Sequence, residues 1–134
     1  MAVESFAEKH LDGVIALCQA EGWPSYTANR SKTMRVLTAP GVTSVVAVDG
    51  HEVVGFAYMQ SDGEIQAHLS LIAVSRTRRR EGIGRLLIEE ALRMAGGTRV
   101  DLLSTEGGDA FYRSLPHTAF PGFRVYPVNR SSAD

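Results

Sequence analysis

The chain is poor in the features that would set it apart from ordinary globular proteins. Its one cysteine, Cys18, excludes an internal disulfide. Together with the lack of a leader-like N-terminal segment, this leads us to expect the cytoplasm. No apolar run approaches the ~20 residues of a membrane span, so no membrane partner is expected. Fourteen basic residues face fifteen acidic ones, so there is no global pull toward nucleic acid. The four histidines are scattered without metal-ligand spacing or cysteine partners, and no metal site is predicted. Repeats and low-complexity tracts are also lacking, which excludes solenoids and biased linkers. What is there is a balanced composition over 134 residues, 44% hydrophobic and 22% charged. That fits one domain, spanning 1–128, that buries roughly two thirds of its unfolded surface.

Residues 3–6 read as a short strand. Leu11, Val14, Ile15, Leu17 and Cys18 then recur at helical spacing over 10–20. Gly22 and Pro24 stop that helix, placing Trp23 and Tyr26 in a loop. A second short helix is predicted over 29–37. From 42 the pattern becomes β-branched. Strands are predicted over 42–48 and 53–59 about an Asp49-Gly50 turn, and a third over 64–74 after Ser61-Asp62-Gly63. The end of the third, 69–74, is almost wholly apolar, as for a strand covered on both faces. Ile83, Leu86, Leu87, Ala91 and Leu92 line one face of a helix closed by Gly96-Gly97. A strand over 99–103, a helix over 109–115, a last strand over 123–128 and a disordered tail over 129–134 complete the reading. The fold class is α/β in an α+β layered arrangement. Its central sheet is mixed and mostly antiparallel, flanked by helices, with one parallel pair around 69–103.

The segment from Leu71 to Leu87 carries the chemistry. A strand runs into a glycine-bearing loop that opens directly into a helix. Unpaired N–H groups and the helix dipole make such a terminus an anion site. Gly82 and Gly84 leave room for a phosphate. Arg76, Arg78, Arg79, Arg80 and Arg85 concentrate positive charge nearby. The Gly-Lys-Ser/Thr ending of a Walker loop is missing, and a dinucleotide fingerprint would need a third spaced glycine.

Arg79-Arg80-Glu81-Gly82-Ile83-Gly84 resembles the CoA-binding motif of the GNAT acyltransferase superfamily, Arg/Gln-x-x-Gly-x-Gly/Ala, and the element order is similar over nearly the whole chain. The resemblance implies a GNAT fold with a splayed parallel strand pair that takes up the pantetheine arm. It implies transfer of an acetyl group from acetyl-CoA to a primary amine by direct attack in a ternary complex. The implied cofactor-binding residues are Ile72, Ala73 and Val74 on the strand, with Arg79, Arg80, Glu81, Gly82, Ile83, Gly84 and Arg85 in the loop and helix start. The Ile72 amide would donate to the acetyl carbonyl as negative charge develops there. His68, six residues before Val74, stands where the family places a base, with Glu64 as second candidate. Tyr112, in the pair Phe111-Tyr112, stands where the family places the acid that protonates the leaving sulfur. Trp23, Tyr26 and Phe120 are the weaker candidates for binding the acceptor, a small-molecule amine or a protein amino group. The sequence departs from the family after Tyr112, where Leu-Gly-Phe is missing, and at Glu106, where asparagine is usual. The chain is also short for the family, so its final hairpin is expected to be reduced, or completed by a second copy in a homodimer. Two other readings stay open: a GNAT-fold module that binds acyl-CoA without turnover, and a nucleic-acid-binding domain using the arginine run.

Overall fold

The computed structural model describes residues 1–105 and 107–128. Glu106 and the expected tail at 129–134 lie outside them. The chain forms two compact units, residues 1–101 and a smaller one beginning at Leu102.

The first unit is built on five strands, β1 (Ala2–Ser5), β2 (Val42–Asp49), β3 (Glu52–Ser61), β4 (Gln66–Val74) and β5 (Arg99–Asp101), in that spatial order. β1 to β4 pair antiparallel, and β4 and β5 pair parallel. α1 (Leu11–Glu21) packs against β3 and β4 on one face, with α2 (Pro24–Thr27) and α3 (Arg30–Leu37) beside it. α4 (Ile83–Ala95) packs on β2, β3 and β4 from the other face. This is the mixed, mostly antiparallel, helix-flanked sheet that the sequence pattern predicts.

Each face has its own core. Leu11, Val14, Leu17 and Cys18 of α1 meet Val46, Phe56, Tyr58 and Ala73 of the sheet. α4 buries Ile83, Leu87, Ile88, Ala91 and Ala95. Fully burying side chains of this kind stabilises by roughly 1.5–3 kcal/mol each. Asn29 caps α3 by accepting the Lys32 N–H at 3.1 Å. α4 ends at Gly96, whose φ is +82°. A Cβ there would lie 2.7 Å from the Gly63 carbonyl oxygen, so only glycine lets the helix end close onto the loop before β4.

Five expectations are corrected. Tyr26 lies in a helical turn rather than a loop, because Pro24 starts α2 with Trp23 at its N-cap. β4 begins at Gln66, so Glu64 stands in the preceding turn. There the Asp62 carboxylate accepts the N–H groups of Glu64, Ile65 and Gln66 at 2.8, 2.7 and 3.2 Å, which competes with strand pairing. These bonds, Ile65 first and Glu64 next, hold the Asp62 carboxyl below its ordinary range. The far end of β4 is only partly covered: Leu69 and Ala73 are buried, while Ser70, Leu71, Ile72 and Val74 are half-buried.

The fourth and fifth corrections fall in the second unit. Its helix, α5, spans Asp109–Arg113 and stops two residues short of the predicted end. No strand forms over 123–128. Pro121 and Pro127 lack the N–H that ladder pairing requires, and Phe123 and Val125 stay 85% and 89% exposed.

Candidate functional site

The site is organised by β4. Tyr58 pairs with Leu71 but Met59 pairs with Leu69, so Ser70 is an extra residue that bulges the strand. Its hydroxyl donates to Gln60 Oε1 at 2.7 Å. On the other edge, β5 pairs only with Gln66, Ala67 and His68. β5 ends at Asp101, so beyond His68 this edge of β4 has no strand paired to it among the described residues.

Alternation decides which backbone groups face this edge. The Ser75 N–H donates to the Val54 carbonyl at 2.8 Å. In an antiparallel ladder the hydrogen-bonded pairs are then Val54 with Ser75, Phe56 with Ala73 and Tyr58 with Leu71. Ile72 and Val74 consequently turn their N–H and C=O groups away from β3, toward the open side, and Ala73 does not. The Val74 carbonyl there accepts from Arg79 Nε at 3.3 Å.

The strand leads into a turn over Arg76–Arg78 and then into α4. Arg80 has φ +66° and Gly82 φ +82°, two left-handed residues that curl the chain over the helix start. Such backbone forms an anion-binding concavity. Gly82 is the N-cap and offers no side-chain cap. The first amide to find a helical acceptor is that of Leu86, which donates to the Gly82 carbonyl at 3.2 Å. The N–H groups of Ile83, Gly84 and Arg85 precede it and have no acceptor within the helix. A Cβ built on Gly82 would meet nothing within 4 Å, so the space before the helix is open.

The arginines divide. Arg78 bonds Asp49 at 2.8 Å and Glu81 at 3.1 Å, and these carboxylates, Asp49 first, push its guanidinium further up its range. Arg79 pairs with Glu21 at 2.7 Å and Arg85 with Glu89 at 2.9 Å. Arg76 donates to the Ala20 carbonyl at 3.1 Å. Only Arg80 of this group makes no ion pair or side-chain hydrogen bond among the described residues. The loop thus offers backbone amides and one free cation rather than a wide basic field.

At the other end of β4, register places side chains on the α1 face. Paired residues share a face, and Phe56 and Tyr58 point into the α1 core. Gln60 and its partner His68 follow on that face, as do Asp101, opposite His68, and the pair Gln66 and Arg99. Gln60, Gln66, His68, Arg99 and Asp101 are all exposed. The Tyr26 hydroxyl hydrogen-bonds that of Tyr58 at 2.6 Å, tying α2 to this face. Trp23 packs half-buried against the α1 core. Glu64, off the strand, makes no side-chain hydrogen bond or ion pair among the described residues. Sequence reasoning missed Tyr58, Gln60, Gln66 and Asp101. Their one signal was a polar residue recurring at alternate strand positions.

Tyr112 and Phe120 belong to the second unit. Tyr112 is half-buried, with its ring 5.1 Å from that of Phe111. Burial pushes its phenol above the usual tyrosine range, which keeps it protonated. Phe120 is 78% exposed. No group of His, Cys, Asp and Glu suited to a metal occurs among the described residues, and no described helix is long and apolar enough to cross a membrane.

The family model for the acetyltransferase (GNAT) domain matches residues 40–115. Solved structures share the fold. An aminoglycoside antibiotic 6′-N-acetyltransferase from Acinetobacter haemolyticus is 18% identical with a TM-score of 0.79, over 98% of this chain and 100% of that one. An aminoglycoside N-acetyltransferase in complex with CoA is 15% identical with a TM-score of 0.77, over 96% and 100%. A ribosomal-protein-alanine N-acetyltransferase from Brucella melitensis biovar Abortus 2308 is 14% identical with a TM-score of 0.76, over 95% and 98%. No curated protein matches the sequence.

Proposed function

The chain belongs to the GNAT acetyltransferase family, and from that premise we propose that it transfers an acetyl group from acetyl-CoA to a primary amine, with residues 1–128 acting as one domain. One observation carries the reading: the edge of β4 left unpaired beyond His68 leads straight onto the glycine-capped start of α4. An open strand edge suits the amide-bearing pantetheine arm, and a bare helix N-terminus suits a diphosphate. The structural relative in complex with CoA supports the same carrier.

The residues present fit it. Ile72 and Val74 would hydrogen-bond the arm through their outward N–H and C=O groups. The amides of Ile83, Gly84 and Arg85 and the Arg80 side chain would hold the diphosphate. Arg79 braces the loop through Glu21 and Val74, and Glu81 through Arg78. Acetyl-CoA supplies the activated acetyl group; the chain supplies position and proton traffic. The Ile72 N–H donates to the acetyl oxygen, where charge builds as the amine nitrogen attacks. His68 takes the proton that the amine must lose. Tyr112, held protonated by burial, gives a proton to the sulfur as the C–S bond breaks. Glu64, outside β4 and in a turn, is the weaker base. The acceptor class spans small-molecule amines and protein amino groups, and the names of the structural relatives fall within it.

Calorimetric titration with acetyl-CoA, against ATP and an oligonucleotide, tests the carrier, and thiol release with an amine panel tests the transfer. Selective acetyl-CoA binding and amine-dependent thiol release are expected. Absent or unselective binding overturns the carrier assignment. Selective binding without transfer to any amine leaves a binding module instead. The ion-paired state of Arg78, Arg79 and Arg85 argues against the oligonucleotide.

A further inference from the structure

We infer that Gln60 decides which amines are preferred: its side-chain NH₂, held in place by Ser70, donates to an oxygen on the carbon beside the amine-bearing carbon of the acceptor. The favoured acceptors are then amines with a neighbouring hydroxyl or carbonyl. This rests on the transfer reaction proposed above and adds the substrate class.

Register puts Gln60 next to the proposed base. Gln60 and His68 are direct partners in the β3–β4 ladder, with Cα atoms about 4.5–5.5 Å apart and both side chains on the α1 face. The bulge brings a third side chain to the same place. Leu71 packs against the α1 core, and in a regular strand its neighbour Ser70 would point to the other face. The extra residue re-aims it. Its hydroxyl reaches Gln60 Oε1 at 2.7 Å on the α1 face.

Two glutamines share this face, and they are used differently. Gln66 is fully engaged: its NH₂ donates to Asp101 Oδ2 at 2.5 Å, and its Oε1 accepts from Arg99 at 3.3 Å. Gln60 is half engaged. Its Oε1 takes the Ser70 proton, which turns its NH₂ the other way, and that NH₂ has no hydrogen-bond partner among the described residues. The Tyr58 hydroxyl, two residues back along β3 on the same face, is hydrogen-bonded to that of Tyr26 at 2.6 Å. The donor left over beside His68 is the Gln60 amide. An NH₂ of this kind donates and does not accept, so its match is an oxygen acceptor. In an amine with an oxygen on the next carbon, the nitrogen faces His68 while the oxygen faces Gln60, one ladder position across. Two contacts then hold the nitrogen in line for attack. A plain alkylamine makes only the first.

Gln60→Met is the test, because methionine keeps the length of the side chain and has no N–H. The probes are 2-aminoethanol for the hydroxyl and glycinamide for the carbonyl, each compared with propylamine. In the parent, kcat/KM should favour an oxygen-bearing amine over propylamine. In Gln60→Met that preference should fall about two- to tenfold, the net worth of one neutral hydrogen bond, and the probe with the larger fall names the oxygen. Ser70→Ala should remove part of the preference by itself and nothing more when combined with Gln60→Met, since the serine acts only through the glutamine. A parent without preference, or an unchanged preference in Gln60→Met, overturns the assignment. So does an equal loss for all three amines, which would make Gln60 a support for His68 instead. If the parent acetylates no amine, the transfer reaction fails, yet calorimetric titration of the same three amines into protein saturated with CoA still decides whether Gln60 selects the oxygen.

Discussion

The two ends of β4 are built from different materials. At its C-terminal end the groups that matter are main-chain ones: the outward N–H and C=O of Ile72 and Val74, the left-handed turn at Arg80 and Gly82, and the unpaired amides opening α4. The arginines there mostly brace the loop against Asp49, Glu21 and Glu81. At its N-terminal end the groups are side chains drawn from β3, β4, β5 and α2: Tyr58, Gln60, His68, Asp101 and Tyr26. The difference suits the two ligands of the proposed transfer. A carrier with a fixed diphosphate and amide arm can be gripped by backbone geometry. An acceptor must be deprotonated and aimed, which takes titratable side chains.

Substitutions can break that contrast. The largest effect is expected from His68→Ala, which should lower the rate about 10²-fold or more and leave acetyl-CoA affinity unchanged; rate and calorimetry read both. A loss of carrier affinity instead would merge the two ends. Gly82→Val should do the reverse. Its φ of +82° strains a branched residue by roughly 1–3 kcal/mol, and the new side chain fills the open space before α4. Losing one or two charge-assisted bonds there weakens acetyl-CoA by about 10²-fold, while the circular-dichroism spectrum should stay that of the parent. Tyr112→Phe should cost about tenfold in kcat. In the parent, the corresponding loss of activity at high pH should fall above the ordinary tyrosine range, because burial raises the phenol's pKa; a limb within that range would remove Tyr112 as the acid. Tyr26→Phe deletes the 2.6 Å bond to Tyr58 and should raise acceptor KM by about fivefold at most.

The smallest effect is expected at Asp62, which sets where β4 begins. Its carboxyl is held below the ordinary range by the Ile65 and Glu64 amides. The stabilisation is therefore complete above the ordinary carboxylate pKa and is lost as pH falls through the lowered folded value. Thermal melts of Asp62→Ala and the parent should differ at pH 7 and converge in strong acid. A gap that persists there would assign the stabilisation to something other than the charge.

The carrier end was legible in the sequence because its parts are contiguous. Strand, arginines, Gly82, Gly84 and amphipathic helix follow one another within about twenty residues, and glycine at such a junction has few uses. The proposed acceptor end was legible only at His68 and Tyr26. Asp101 lies 33 residues away from His68 and looks like any strand-end aspartate until the parallel register sets the two side by side. Glu64 misled because strand alternation continues through it, while a local competition for N–H groups by Asp62 ends the strand first. The pattern at 123–128 misled in the same way: Phe123, Val125 and Tyr126 have strand propensity, and Pro127 beside them cannot join a ladder.

What the sequence determined by itself was the order of layers and the place of the glycine-bearing turn before α4, since periodicity and glycine act over a few residues. Only the tertiary structure decided that Ser70 bulges, that β5 pairs with β4 only as far as His68 and that Asp101 stands opposite His68. The register of β4 against β5 follows from which face each strand buries across a crossover of more than twenty residues, and no local stretch of chain carries that information.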